Sequence, residues 1–169
     1  RTIRNIISEV EGVDDIHMLR TRRMGGNALV DVHVEVKPRI SVSEGHQISE
    51  YVRMKLINSI TEVTDVTVHI DPEDDSKHTA NLDLPLRRRV IAELSQVWDT
   101  LVDRKYLQTC NLHYLSGQIQ VDLLLPFEYF VSPEASQALT QQLMQAASHY
   151  SYLGEVRIYY GEPVKLTET

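Results

Sequence analysis

Seven histidines are spread over the 169 residues, and five of them fall in the first half: His17, His33, His46, His69 and His78. Imidazole is largely neutral near pH 7 and binds borderline metals through nitrogen. His69 and Asp71 stand two apart in a stretch that reads as a strand (VTVHID), so both side chains leave on one face, about 7 Å apart along the chain. His33 lies on the polar face of an alternating segment. Val30, Val32, Val34 and Val36 form one side; Asp31, His33 and Glu35 form the other. His17 belongs to the strand expected to pair with that segment, and His46 to the first turns of the helix that follows. Three sheet positions and one helix start are expected to converge near one edge of a single unit. Imidazoles with one carboxylate suit Zn²⁺, which takes nitrogen and oxygen donors at about 2.0–2.2 Å. They also suit Fe²⁺, Co²⁺ and Ni²⁺, so ligand type leaves the metal open. Asp31 and Glu35 flank His33 and are placed to hold an imidazole in one tautomer. A lone strand histidine is more often an exposed polar residue, and no HExxH spacing is present.

These residues need elements to hold them. Ile3, Ile6, Ile7 and Val10 recur at helical spacing, and Gly12 stops that helix. Residues 13–23 read as a strand, Gly25-Gly26 as a turn, and residues 27–37 as the paired strand, ended by Pro38. Ser41 and Glu44 form a capping box that opens a helix to about Ile60, with Ile48, Val52, Leu56 and Ile60 as its buried stripe. Residues 64–71 make a third strand. The acidic stretch 71–84, broken by Pro72, reads as a linker, and His78 within it as part of a solvated polar segment.

The same order then returns. A helix over 84–103 carries Leu86, Val90, Leu94, Val97, Trp98 and Leu101 on its apolar face. Strands over 107–115 and 118–126 flank a turn at Gly117. Ser132 and Pro133 open a helix to about Tyr150, and residues 155–160 close the unit. The pattern predicts two tandem copies of one α+β unit, a ferredoxin-like αββαβ sandwich with helices on one face of a small sheet. The expected boundaries are 1–75, a linker at 76–84, a second copy at 85–162 and a loose tail at 163–169.

The second copy serves as an internal control. With Gly117 over Gly26 and Val121 over Val30, Leu124 falls where His33 stands, Tyr159 at His69 and Gly161 at Asp71. Gln108 falls near His17, and Ser136 near His46. The fold pattern is kept and the candidate ligands are gone. A purely structural role for the histidines would predict no such difference.

Composition narrows the rest. A net charge of −7 argues against nucleic-acid binding, which needs a basic footprint. The hydrophobic share of 42% and charged share of 24% mark a folded chain. The one cysteine, Cys110, excludes an intrachain disulfide and multi-cysteine metal sites, and reads as a small core residue beside His113. No apolar run nears the roughly 20 residues that span a bilayer, and no segment has the pattern of a signal peptide. A chain that opens on Arg1 is expected to be a piece of something longer. Arg87-Arg88-Arg89 reads as a solvated helix start. Tyr150, Tyr152, Tyr159 and Tyr160 suggest a packed or dimer surface. No nucleophile triad and no glycine-rich phosphate loop is present, so the chain is not expected to be an enzyme.

The segment VEGVDDIHMLRTRRMGGNALVDVHVEVKP, followed by SEGHQISEYV and VTDVTVHIDP, resembles the C-terminal cytoplasmic domain of cation diffusion facilitator transporters over about residues 1–73. The resemblance implies a metallochaperone-like fold, a homodimer, attachment to the transporter's own transmembrane domain, and binding of divalent cations. Zn²⁺ is the usual ion of that family, with Fe²⁺, Mn²⁺, Co²⁺ and Cd²⁺ as others. It carries the family's metal positions onto His17, His33, His46, His69 and Asp71, with Asp71 as a bridge between two ions. The Arg20-Thr21-Arg22 stretch also fits the family pattern, where it faces the membrane domain. The transporter exports its cation in exchange for protons, and the localisation implied is the cytoplasmic side of a membrane, a bacterial inner membrane in the simplest case. The second copy departs from the family pattern.

The expected function is a metal-sensing, dimerising regulatory domain of a divalent cation exporter. Two rivals are a ferredoxin-like interaction module without a metal role, and a metal-dependent hydrolase. The hydrolase lacks an apolar substrate pocket or an oxyanion donor set in the sequence.

Overall fold

The computed structural model describes residues 2–74 and 81–162. Residues 75–80 and 163–169, which hold His78, much of the expected linker and the expected tail, lie outside the described residues. The chain divides into two units, Arg1–Thr79 and Ala80–Thr169.

The first unit opens with α1 (Ile3–Ser8), capped by Thr2, whose hydroxyl accepts from the Asn5 N–H at 3.4 Å. Ile6 and Ile7 are its buried residues. Gly12 turns the chain at φ 89°, a left-handed conformation that favours glycine. Strands β1 (Asp15–Met24) and β2 (Asn27–Glu35) form an antiparallel hairpin through Gly25-Gly26. Helix α2 (Val42–Ser59) starts at Ser41, whose hydroxyl accepts from the Glu44 N–H at 3.1 Å. It crosses one face of the sheet and returns the chain as β3 (Val63–Asp71), parallel to β2. The order β1-β2-β3 puts β2 in the centre.

Alternation along β2 explains the core. Val30, Val32 and Val34 are almost fully buried with Ile6, Ile7, Val52, Leu56 and Val66. Each buried aliphatic side chain contributes about 1.5–3 kcal/mol. A period of two then sends Asp31, His33 and Glu35 to the face that the helices do not cover. In register with them on β3 are Thr67, His69 and Asp71.

The second unit repeats this order with one addition. Helix α3 (Arg87–Trp98) is followed by a short α4 (Arg104–Gln108), then β4 (Asn111–Leu115), β5 (Gln118–Leu125), α5 (Pro133–Ala146) and β6 (Leu153–Tyr160). β4 and β5 are antiparallel, β5 and β6 parallel, and β5 is central. The turn at Ser116 (φ 53°) and Gly117 (φ 74°) uses two left-handed residues, as tight hairpins do. Trp98 is fully buried and donates its indole N–H to the Leu143 carbonyl at 2.8 Å. Both units are α+β sandwiches of ferredoxin-like type, and the tandem copy of one αββαβ pattern is present.

Three expectations of element length are corrected. The helix expected over 84–103 is shorter, because Pro85 lies ahead of its first turn and the chain leaves helix after Trp98. The strand expected from 107 begins at Asn111. Asp103 caps α4 instead, accepting from the Lys105 N–H at 2.9 Å, so Gln108 sits on a helix. The helix expected to reach Tyr150 ends at Ala146.

Candidate metal centre

The cluster is built on the open face of the first sheet. His33 sits directly opposite His69 across β2 and β3, and Glu35 opposite Asp71. On β1 the register shifts between Ile16 and Met18: Ile16 pairs with Val34, and Met18 with His33. His17 is the extra residue of that bulge. A bulge re-aims a side chain and breaks strict alternation. Ile16 and Leu19 both stay on the helix side, opposite Val34 and Val32, while His17 reaches over the open face to Asp71.

Asp71 is the hub. Its Oδ2 lies 2.9 Å from His17 Nε2 and 2.8 Å from His33 Nδ1. An ionised carboxylate only accepts, so the geometry assigns a proton to each of those two ring nitrogens. All three side chains are largely buried, with 9% (His17), 24% (His33) and 15% (Asp71) of their surface exposed. His17 Nδ1 is buried and has no hydrogen-bond partner among the described residues. Leaving such an atom unsatisfied costs about 1–3 kcal/mol. One donor atom from each of His17, His33 and Asp71 lies within 4.8 Å of the others.

The five candidate residues do not all meet. His69 is exposed, and its ring stacks on His33 at 4.3 Å between centroids and 14° between planes. It is beside the cluster rather than in it. His46 is exposed on the first turns of α2 and lines a separate cleft with Val68, Ile70 and Pro72. Val68 and Ile70 belong to the helix-covered face of β3, so His46 stands apart from the open-face cluster of its own chain. Asp31 does not orient an imidazole: its Oδ2 accepts from Arg22 at 2.6 Å.

The second unit keeps the register and not the ligands. Leu124 lies opposite Tyr159 as His33 lies opposite His69. Ser136, near the position of His46, bonds Tyr160 through their hydroxyls at 2.8 Å. Sequence reasoning missed one pair there. His113 Nε2 bonds Asp122 Oδ2 at 3.0 Å. The signal was the hairpin register, which sets His113 opposite Gln120 and Asn111 opposite Asp122. Cys110 is buried, and burial pushes its thiol pKa up, away from reactivity.

An α+β domain carrying two imidazoles and a carboxylate on an uncovered sheet face is thus the class of the first unit. Residues 1–73 match the family model described as "Cation efflux protein, cytoplasmic domain", and the resemblance read from the sequence holds over that stretch. Metal tolerance protein C1 of Arabidopsis thaliana is 47% identical over 70 residues, which are 41% of this chain and 15% of that protein. Metal tolerance protein 2 of Oryza sativa subsp. japonica is 43% identical over 68 residues, 40% of this chain and 18% of that protein. Cation-efflux pump FieF of Pectobacterium atrosepticum is 31% identical over 72 residues, 43% of this chain and 24% of that protein. The chain therefore spans less than a quarter of the length of these relatives. Among solved structures, MamM-CTD 215-293 is 25% identical and superposes with a TM-score of 0.41, over 42% of this chain and 90% of that one. Among the described residues no helix is long and apolar enough to cross a membrane.

Proposed function

We propose that the first unit is the metal-sensing and dimerising cytoplasmic domain of a divalent cation exporter, with Zn²⁺ as the ion and protons as the exchanged species. The observation that carries this reading is the single carboxylate oxygen of Asp71 shared by His17 and His33. Two imidazoles and a carboxylate fit Zn²⁺ chemically. His17, His33 and Asp71, whose donor atoms lie within 4.8 Å of one another, would hold the ion. Either nitrogen of His17 can serve, Nε2 toward Asp71 or the unpartnered Nδ1. His69 is close enough to His33 to join by a side-chain rotation. His46 enters from a second copy, because its own chain holds it away from the open face. A neutral imidazole that binds through the nitrogen now facing Asp71 carries its proton on the other ring nitrogen, and competition between the ion and protonation of the rings couples metal affinity to pH.

The role is binding and regulation rather than catalysis. Each bound cation reduces repulsion between acidic protomers and favours the associated state by its differential affinity. The names of the relatives, a cation-efflux pump and two metal tolerance proteins, support cation export as the activity of the whole protein.

Calorimetric titration with zinc tests the reading. The expected result is binding that Asp71→Ala weakens at least tenfold, or about 1.4 kcal/mol. Binding indifferent to Asp71 overturns it and leaves a dimerisation scaffold.

A further inference from the structure

Two positions that hold histidines in the first unit, those of His33 and His69, hold exposed apolar side chains in the second. Leu124, opposite Tyr159, is 44% exposed, Tyr159 is 48% exposed, and Phe127, just past the end of β5, is 61% exposed. Beside Leu124 lies a cleft of about 380 Å³ formed by Tyr106, Pro126 and Gly161, with Lys105 and Glu162 at its rim. The rest of this sheet face is polar: Gln118, Gln120 and Asp122 alternate along β5, and Glu155 and Arg157 along β6. The apolar character is therefore confined to one end. Three side chains this exposed present on the order of 300 Å² of surface, the size of the largest apolar patch on an ordinary monomer, which is often functional.

We propose that this end of the second sheet is a self-association surface, which pairs with the same end of the second unit in another copy of the chain. A two-fold axis puts one patch on both sides of the contact. Leu124 and Tyr159 of each copy then cover each other, and Lys105 of one copy lies beside Glu162 of the partner subunit. A rim that carries one cation and one anion is complementary to itself, whereas a rim of one sign would repel its own copy. Within its own chain Lys105 lies 3.5 Å from Asp103 and over the Tyr106 ring, and its side chain is well exposed, so it turns outward at little cost. The surface contains none of the metal candidates. It makes association independent of metal, at the sheet positions where the first unit would make it depend on metal. The proposal does not need the metal reading to hold.

Sedimentation equilibrium of the full chain in excess chelator tests it. An interface of this size belongs to the weak class, so the scan covers roughly 1–200 μM. The expected result is a reversible dimer in chelator whose dissociation constant rises at least tenfold in the double variant Leu124→Glu, Tyr159→Glu. Both positions are exposed, and an unchanged circular dichroism melt confirms that the variant folds. Lys105→Glu weakens the dimer, and adding Glu162→Lys restores it. A monomer in chelator across the whole range overturns the proposal, as does a dimer untouched by the Leu124 and Tyr159 changes. A dimer that those changes disrupt but the charge exchange fails to restore overturns the two-fold arrangement. Failure of the metal reading shows separately, as zinc having no effect on the double variant.

Discussion

Asp71 Oδ2 accepts from two rings that come from two different strands, and this shared oxygen ranks the histidines. His17 is the most buried of them and carries an orphaned nitrogen; His69 is exposed and contributes a stacked ring. His17→Ala is therefore expected to weaken zinc binding by at least tenfold, and His69→Ala by less, in side-by-side calorimetric titrations. His46→Ala is expected to act only where a second copy is present, so its effect on affinity grows with protein concentration. Imidazole binds metal only when neutral, and free imidazole titrates near pH 6.5. Affinity measured at pH 7.5, 6.5 and 5.5 should accordingly drop steeply below about pH 6. A flat profile would falsify histidine ligation.

At the scale of elements, the bulge on β1 is the device that lets one strand keep Ile16 and Leu19 in the core and still send His17 to the open face. The β4–β5 ladder of the second unit is regular over Asn111–Leu115, and α4 takes the residues that would have extended β4. What it has instead is a tie between α3 and the start of β6. Glu93 accepts from Arg89 at 2.7 Å and from the Tyr152 hydroxyl at 2.7 Å, while the Tyr150 hydroxyl reaches the Glu93 carbonyl at 3.3 Å. The hydrogen bonds from Arg89 and Tyr152 hold the Glu93 carboxyl below the usual carboxylate range. Burial and the Glu93 carboxylate together push the Tyr152 hydroxyl up. A carboxyl with a lowered folded pKa stabilises the fold above its unfolded value, near 4.3, and loses that contribution as pH falls through the folded value. Tyr152→Phe is expected to destabilise the second unit by roughly 0.5–1.5 kcal/mol, the net worth of one hydrogen bond. It should also shrink the loss of stability between pH 5 and 3, as followed by urea unfolding.

At the scale of the whole molecule, each unit has its own hydrophobic core, one around Val30, Val32 and Leu56, the other around Trp98, Leu123 and Leu143. A ligand that binds only the folded first unit raises the stability of that unit by mass action. Calorimetric melting with and without zinc should shift one transition upward by several degrees. Asp71→Ala should abolish the shift, and Tyr152→Phe should lower the other transition alone. One sheet end bears a cluster suited to metal and its counterpart bears Leu124 and Tyr159. With the proposed metal site and the proposed self-association surface, the same fold gives one molecule a metal-dependent and a metal-independent means of association.

Much of this was legible from residue order because it depends on local periodicity. The valine alternation of β2, the Ser41 cap, the glycine turns and the repetition of the order after residue 84 all follow from steric and hydrogen-bonding preferences within a few residues. The same alternation put His33, His69 and Asp71 on one face. Other features depended on contacts between strands and helices. A one-residue bulge costs little locally and is selected by what packs on both faces, so His17's approach to Asp71 appeared only in three dimensions. The start of β4 was decided by the competition between a capped helical turn and a strand extension, and Asp103 tipped it to helix. His46 shared a plausible spacing with the cluster, but spacing carries no information about which side of a sheet a helix start occupies. That choice belongs to the packing of α2 over the valine face, and it sets His46 apart from Asp71 within one chain.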